Sequence, residues 1–298
     1  MRAPMSFGLG EFYSLACALA WAIAVVLFKK SGESLAPVPL NLFKNAVGLA
    51  LMVLTVLAVS GTAWPGIPPA AVALALFSGF LGIGVGDTVY FRALNAVGAS
   101  RMAIAQTLYS PFVIVLSSLV LAERLGAVQF AGVALVLGGI LLVNYAPDAG
   151  ALDARAVRRG VAEAALAVFV MAVGIVMAKP LLERYDFLWI VTLRIVGGIL
   201  GMLILMPSAR DGAGIRAAFA GVRHWPQVIA GSVVGTYISM LLWLAGYKYT
   251  KASIAAVLNE MAAVFILVLA AMFLGDRLKP AQFAGSALAI AGVLLVVL

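Results

Sequence analysis

Ten times along this chain a run of about twenty residues passes with almost no charge, the length a helix needs to cross about 30 Å of hydrocarbon. The runs fall at roughly 10–29, 38–60, 70–92, 99–121, 126–146, 160–180, 186–207, 226–248, 251–274 and 280–298. Composition agrees with a bilayer solvent. With 64% apolar residues, 11% charged and a mean hydropathy of +1.13, the chain cannot present a charged surface to water on all sides. Helices of a soluble core would be shorter and carry a polar face, so each run is expected to be a transmembrane helix. The 30 glycines are compatible with this, because interior Gly lets membrane helices approach closely.

The two halves of the chain repeat one another. Glu123-Arg124-Leu125 followed by Gln129-Phe130-Ala131-Gly132 returns as Asp276-Arg277-Leu278 followed by Gln282-Phe283-Ala284-Gly285, a shift of 153 residues. The same shift aligns Ala99-Ser100 with Ala252-Ser253, Gly82 with Gly235 and Gly139 with Gly292. Nearer the start of each half the shift is 150, pairing Lys29 with Lys179, Lys44 with Arg194 and Gly48 with Gly198. A duplicated hydrophobic chain is a signature of transporters built from two repeats. Each repeat holds five spans, an odd number, so the second must enter the membrane upside down relative to the first. The expected fold is all-α, ten transmembrane helices in two inverted five-helix repeats. Residues 1–146 form the first repeat, 147–159 a polar linker and 160–298 the second.

Charge then bears on orientation and partners. Of the basic residues at or near span ends, six, Arg2, Arg124, Lys179, Arg184, Lys248 and Lys251, belong to one face, and the other twelve, including Arg155, Arg158 and Arg159 of the linker, to the opposite one. Basic loops stay cytoplasmic, which puts the linker inside and both termini outside. The net charge of +8 is read as topology signal and headgroup contact; the basic residues form no sequence cluster, so no nucleic-acid partner is expected. The first span is expected to be retained, since no small-residue cleavage site follows it. Cys17 is the single cysteine and His224 the single histidine, so neither a disulfide nor a thiolate or imidazole metal centre is expected. No nucleophile and base at catalytic spacing and no phosphate-binding Gly-rich loop with a following Lys occur. Neither an enzyme nor an ATP-driven pump is indicated, and no cofactor is expected.

The run Gly84-Val85-Gly86-Asp87-Thr88-Val89-Tyr90-Phe91-Arg92-Ala93-Leu94, then Gly98-Ala99-Ser100 and Tyr109-Ser110-Pro111, resembles the third and fourth helices of a ten-helix EamA-type transporter of the drug/metabolite transporter superfamily. Ala122-Glu123-Arg124-Leu125 with Gln129 to Gly132 is similar to the end of that family's repeat, and the second copy fits with Asp276 replacing Glu. One departure stands out. Pro111 of the fourth helix is matched in the second half by Val264, close to the pair Asn259-Glu260. The resemblance implies that the third, fourth, eighth and ninth spans line a central cavity, and so implicates Tyr90, Gln106, Tyr109, Tyr237, Trp243, Asn259 and Glu260. Rings with polar tips suit an organic substrate better than a bare ion.

Four ionisable residues lie inside spans: Lys44, Asp87, Arg194 and Glu260. Each buried charge costs about 2.5–3.5 kcal/mol on insertion scales, so each needs a partner, a water-filled cavity or a function. Lys44 and Arg194 are repeat mates, whereas Asp87 aligns with Met240 and Glu260 with Thr107. Their charges sum to zero, which allows two internal ion pairs. Arg194 is therefore a candidate either for pairing or for gripping an anionic substrate group. Glu260 lies about one helical turn from Ala256 and Ala263, where small neighbours leave room for water or ligand. A carboxylate that can be protonated in one step and ionised in another is what proton coupling requires, and Glu260 and Asp87 are the candidates. Asp87 can equally be read as the structural partner of Lys44.

Gly82 with Gly86, and Gly231 with Gly235, are spaced to bring helices together. Trp21, Trp64, Trp189 and Trp225 read as interface anchors, and the Glu123-Arg124 and Asp276-Arg277 pairs as salt-bridged turns that end their helices. Three functions remain open from sequence. The first is a proton-coupled exporter of a small organic, amino acid-like or drug-like metabolite, working by alternating access in the plasma (inner) membrane. The second is an importer or exchanger using the same cavity, and the third a non-transporting membrane subunit. A monomer would suffice for the first two.

Overall fold

The computed structural model describes residues 8–30, 37–61, 63–90, 92–93, 105–144, 154–205, 219–220, 222, 224–274 and 280–297. Every regular element among them is helical. The chain runs α1 (Leu9–Lys30), α2 (Pro37–Ser60), α3 (Pro69–Tyr90), α4 (Tyr109–Val120), α5 (Ala127–Asn144), α6 (Ala154–Arg184), α7 (Phe187–Leu205), α8 (Trp225–Tyr249), α9 (Ala252–Phe273) and α10 (Pro280–Val297). Eight of these are long and apolar enough to cross a membrane, while α4 and the apolar part of α5 are shorter in the described residues. The Ala99-Ser100 pair, the Asp276-Arg277-Leu278 turn and linker residues 147–153 lie outside the described residues. The rest of the expected linker is helical: α6 already begins at Ala154 and continues through Pro180 to Arg184. Its exposed start carries an Arg159–Glu163 pair at 3.2 Å across one turn.

The distribution of side chains is that of a protein solvated by lipid. Leu119 and Phe283 are 76% and 71% exposed, yet Arg194 is only 1% exposed and Asn41, Asn45, Ser78 and Thr236 are buried. Exposed apolar surface costs nothing in hydrocarbon, so the polar groups turn inward to find partners.

Close approaches between helices come in repeat-matched sets. Gly48 of α2 faces Thr236 of α8, where an added Cβ would lie 2.6 Å from Thr236 Cγ2; Gly198 of α7 faces Ile83 of α3, where it would lie 2.6 Å from the Ile83 Cβ. Gly48 and Gly198 are repeat mates, and so are Ile83 and Thr236. On α5 and α10, Gly132 meets Gly292 and Gly139 meets Gly285, so the two helices cross antiparallel, each mate touching the other's counterpart. Such a reciprocal contact is what a local two-fold axis produces. The same pairing extends outward, because α1 packs on α8 and α9 while its mate α6 packs on α3 and α4.

Two kinds of helix irregularity also recur at the 153-residue shift. A π-helical stretch occupies Phe80–Gly86 of α3 and Val233–Ile238 of α8. A break precedes α4 at Thr107–Leu108 and interrupts α9 at Glu260–Met261. In the first half Pro111 accounts for the break, since it has no N–H for the Thr107 carbonyl and its ring crowds that group. The second half breaks without proline. There Asn259 Nδ2 donates to the Ala255 carbonyl at 2.8 Å, and the backbone tightens so that Glu260 N bonds Val257 O at 3.2 Å. The departure at Val264 therefore preserves the break by a different chemistry.

One end of the molecule gathers the start of α1, the end of α10 and three connections. Thr250 Oγ1 donates to Glu11, Gln129 Nε2 donates to Val296 O at 3.2 Å, and Lys179 Nζ donates to Tyr247 O and Thr250 O, each at 2.8 Å. Lys179 thereby puts its charge at the carbonyl end of α8, where the helix dipole favours a cation. Glu123 does not simply close its own helix, as the sequence suggested. Its carboxylate accepts Ala252 N at 2.8 Å, Ser253 N at 3.1 Å and Ser253 Oγ at 2.8 Å, and so caps the start of α9 in the other half of the chain.

Candidate functional site

Glu260 sits in the break of α9, and Ser110, three residues beyond the matching break before α4, reaches it. Ser110 Oγ lies 2.8 Å from Glu260 Oε1 and 3.2 Å from the Ala256 carbonyl. The broken helices of the two halves therefore meet at this carboxylate. It is 9% exposed and, among the described residues, has no cation within 4 Å. A broken helix frees backbone groups, and membrane proteins tolerate that only where protein or a polar cavity takes them up.

Next to it lies a pair of phenols. Tyr109 of α4 and Tyr247 of α8 share a hydrogen bond of 3.0 Å between hydroxyls, and both are buried. Tyr109 is within electrostatic reach of both Arg194 and Glu260. Trp243, one turn before Tyr247, stands edge-on to its ring with centroids 5.5 Å apart. Tyr90 is within electrostatic reach of both Asp87 and Glu260.

Arg194 is held where three helices nearly touch. A Cβ on Gly79 would overlap the Arg194 carbonyl, and one on Gly174 would lie 2.9 Å from Gly82 Cα, so only glycines permit this crossing of α3, α6 and α7. A Cβ on Gly82 itself would meet nothing nearer than 3.7 Å, so the close packing expected of Gly82 falls to Gly79 and Gly174. The guanidinium spends Nη1 on Ser78 Oγ at 2.7 Å and on the Gly174 carbonyl at 2.9 Å, while Nε has no partner. Among the described residues no carboxylate lies within 4 Å of it. Of the two internal ion pairs that the charge balance allowed, only one forms. Lys44 Nζ lies 3.8 Å from Asp87 Oδ2, and the Asn41 side chain is near the same carboxylate. Lys44 further stands 5.7 Å from the centroid of the Trp21 ring. Trp21, itself 37% exposed, thus contacts this cation with its ring.

The remaining sequence candidates divide. Tyr237 turns toward α2, its hydroxyl 2.5 Å from Thr55 Oγ1. Asn259 gives its amide N–H to Ala255 O and leaves Oδ1 buried without a partner. Gln106 is half-buried just ahead of the break before α4. Trp64 and Trp189 stand edge-on to each other with centroids 5.0 Å apart, and Trp225 joins Phe43 and Phe219. Sequence reading missed Ser110, Tyr247, Ser78 and Asn41. Spacing held part of the signal: Tyr247 follows Trp243 by four residues and Ser78 precedes Gly82 by four, so each shares a helix face with a residue already singled out.

Comparison with known proteins agrees with this architecture. The profile of the EamA-like transporter family matches twice, over residues 8–145 and 158–298. Over 281 residues the chain is 22% identical to a protein of Archaeoglobus fulgidus named "Uncharacterized transporter", spanning 93% of this chain and 94% of that one. It is 26% identical over 266 residues to the "Probable terminal-alkyne amino-acid exporter" of Streptantibioticus cattleyicolor, spanning 80% and 84%. A crystal structure of a protein 18% identical in sequence superposes with a TM-score of 0.81 over 96% of this chain and 95% of the other, a likeness of fold. This multi-pass integral membrane protein belongs to the EamA-like transporter family.

Proposed function

We propose that the chain is a secondary active transporter that exports a small, amino acid-like organic substrate across the plasma (inner) membrane by alternating access, coupled to protons. Ten crossings form two inverted five-helix repeats, residues 1–146 and 160–298 joined through 147–159. The matched breaks, the matched π-helical stretches and the antiparallel α5–α10 crossing support that arrangement. The observation that carries the reading is Glu260: a carboxylate without a cation partner, in the break of α9, bonded to Ser110 beside the equivalent break in the other repeat. Substrate sites of such transporters lie where discontinuous helices of two repeats meet near the bilayer midplane.

The charges suggest a dipolar substrate. Of the four ionisable residues inside spans, Lys44 and Asp87 neutralise one another, which leaves Arg194 and Glu260, with the hydrogen-bonded Tyr109–Tyr247 pair in electrostatic reach of both. An α-amino acid would offer its carboxylate to Arg194 and its ammonium to Glu260. Tyr90, Gln106, Tyr237, Trp243 and Asn259 would shape the remaining wall. The exporter named for a terminal-alkyne amino acid is a relative whose substrate has this dipolar head. A proton and the ammonium would then compete for Glu260, and loading one releases the other. Asp87, in reach of the same Tyr90, is the second candidate for carrying a proton.

Glu260→Gln in proteoliposomes tests the reading, with labelled amino acids and amphipathic cations as trial substrates. The variant keeps the shape and fixes the neutral state. Exchange between equal pools is expected to survive, while accumulation driven by a pH gradient is abolished. Accumulation at the parental level on a pH gradient alone would remove Glu260 from the coupling step and leave Asp87 to be tested.

A further inference from the structure

A cleft of about 1500 Å³ opens at the end of the molecule that holds the start of α1 and the end of α10, and neither Glu260 nor Arg194 lines it. Five of its lining residues are cations: Arg124, Lys179, Arg184, Lys248 and Lys251. Only Glu123 and Glu183 oppose them, and both are already engaged, Glu123 on the start of α9 and Glu183 on Lys179 at 2.7 Å. Lys251 gives its ammonium to the Arg124 carbonyl, and Lys248 stands 5.4 Å from the Phe187 ring centroid. Among the described residues, the guanidinium groups of Arg124 and Arg184 have no hydrogen-bond or ion-pair partner. Like charges gathered around one concavity repel each other, and an anion in the cleft would relieve this.

We propose that this cleft binds the phosphate headgroup of an anionic membrane lipid. Three features point to a lipid as the source of the phosphate. The cleft lies where three helices end and two begin, the depth at which headgroups sit and where Lys and Arg meet them. One wall is apolar and open to the bilayer side: Val120 is 65% and Val128 54% exposed, and Leu119 beside them 76%. An acyl chain can follow that wall into the hydrocarbon while guanidinium forks take the phosphate oxygens, a geometry Arg suits better than Lys. The five cations are also five of the six basic residues that the sequence assigned to this face, so its charge is concentrated at one place. Because the cleft joins the α4–α5 connection, the end of α6 and the α8–α9 connection, a lipid seated there would brace parts of both repeats.

The test uses purified full-length protein in a neutral detergent, with thermal unfolding followed during titration of dioctanoyl phosphatidylglycerol, dioctanoyl phosphatidylcholine or inorganic phosphate. Phosphatidylglycerol is expected to raise the unfolding temperature of the parent protein. An R124Q/R184Q variant, altered only at exposed unpartnered side chains, is expected to need roughly 30-fold more of it for the same shift. Native mass spectrometry should show phosphatidylglycerol adducts on the parent and fewer on the variant. The single variants Arg124→Gln and Arg184→Gln give the same readouts if the double one does not fold. An unchanged response in the variants overturns the site. Equal stabilisation by inorganic phosphate overturns the lipid as ligand, and equal stabilisation by phosphatidylcholine overturns the preference for an anionic headgroup.

Discussion

Replacing Arg194 by Met separates two roles that a buried cation can play. The guanidinium is 1% exposed, and two hydrogen bonds from one nitrogen, to Ser78 Oγ and Gly174 O, are its only described partners. Hydrogen bonds to charged groups contribute about 1.5–3 kcal/mol each. Holding a charge away from water costs several kcal/mol even after relaxation. The two contributions nearly cancel, so Arg194→Met, which fills similar volume, is expected to change stability by no more than about 2 kcal/mol. Breaking a true buried ion pair would instead cost about 3–5 kcal/mol, because a carboxylate would be left unpaired. Binding should respond differently. Truncating one partner of a desolvated charge pair costs about 2–5 kcal/mol, or roughly 30-fold or more in affinity. Arg194→Lys should fall between, since an ammonium lacks the planar fork. Chemical unfolding in detergent measures the first quantity, and equilibrium binding of a labelled amino acid measures the second. Large destabilisation with unchanged affinity would refute the ligand role and make Arg194 a structural clamp between α3, α6 and α7.

Glu123 gives a second, simpler expectation. Glu123→Gln removes the charge that three donors of α9 converge on, and should cost about 1–2 kcal/mol of stability at this half-buried site, visible as a lowered midpoint of unfolding; an unchanged midpoint would mean the cap contributes nothing. Topology can be read with cysteines. In a Cys17→Ala background, cysteines at Gln129 and Thr250 are expected to react with an impermeant thiol reagent from the same side of oriented vesicles, and one at Phe219 from the opposite side. Labelling of all three from one side would contradict the threading of ten crossings.

Much of this fold was legible because the bilayer imposes a coarse code. Eight of the ten apolar runs fell on helices of spanning length, and the 153-residue shift recurs in the π-helical stretches of α3 and α8 and the breaks at α4 and α9, which hydropathy does not register. Helix ends were harder to read where charge continues a helix beyond hydrocarbon, as in α6 from Ala154 to Arg159. The site was only half legible. Ionisable residues in apolar runs announce themselves by cost, so Lys44, Asp87, Arg194 and Glu260 were found. Their partners are serines, tyrosines and a backbone carbonyl, which cost little in a helix and leave no trace in hydropathy. The pairing of Asp87 with Lys44 was one of the readings the sequence offered, but that Arg194 would go to Ser78 and Gly174 depends on which faces the tight Gly79 and Gly174 crossing brings together, and spacing along one chain does not encode that.

Duplication explains why one cation is neutralised and its mate is not. Lys44 and Arg194 occupy matching places, but the acid that serves Lys44 has no counterpart, because Met240 stands where Asp87 stands in the first half. If the missing acid is what leaves Arg194 available to a ligand, supplying it should close the site. Met240→Asp would place a carboxylate on α8, whose second half already brings Tyr247 within electrostatic reach of Arg194. In a protein that retains Arg194 the new acid has a partner, whereas in an Arg194→Met background it is a bare buried charge. A double-mutant cycle on unfolding free energy is therefore expected to show coupling of about 1–3 kcal/mol in favour of the pair, with substrate affinity falling at least about tenfold as the acid competes for the guanidinium. Additive effects on stability with unchanged affinity would show that the repeat does not bring residues 194 and 240 together as it brings 44 and 87, and the account of Arg194 as a cation kept free by divergence between the halves would fail.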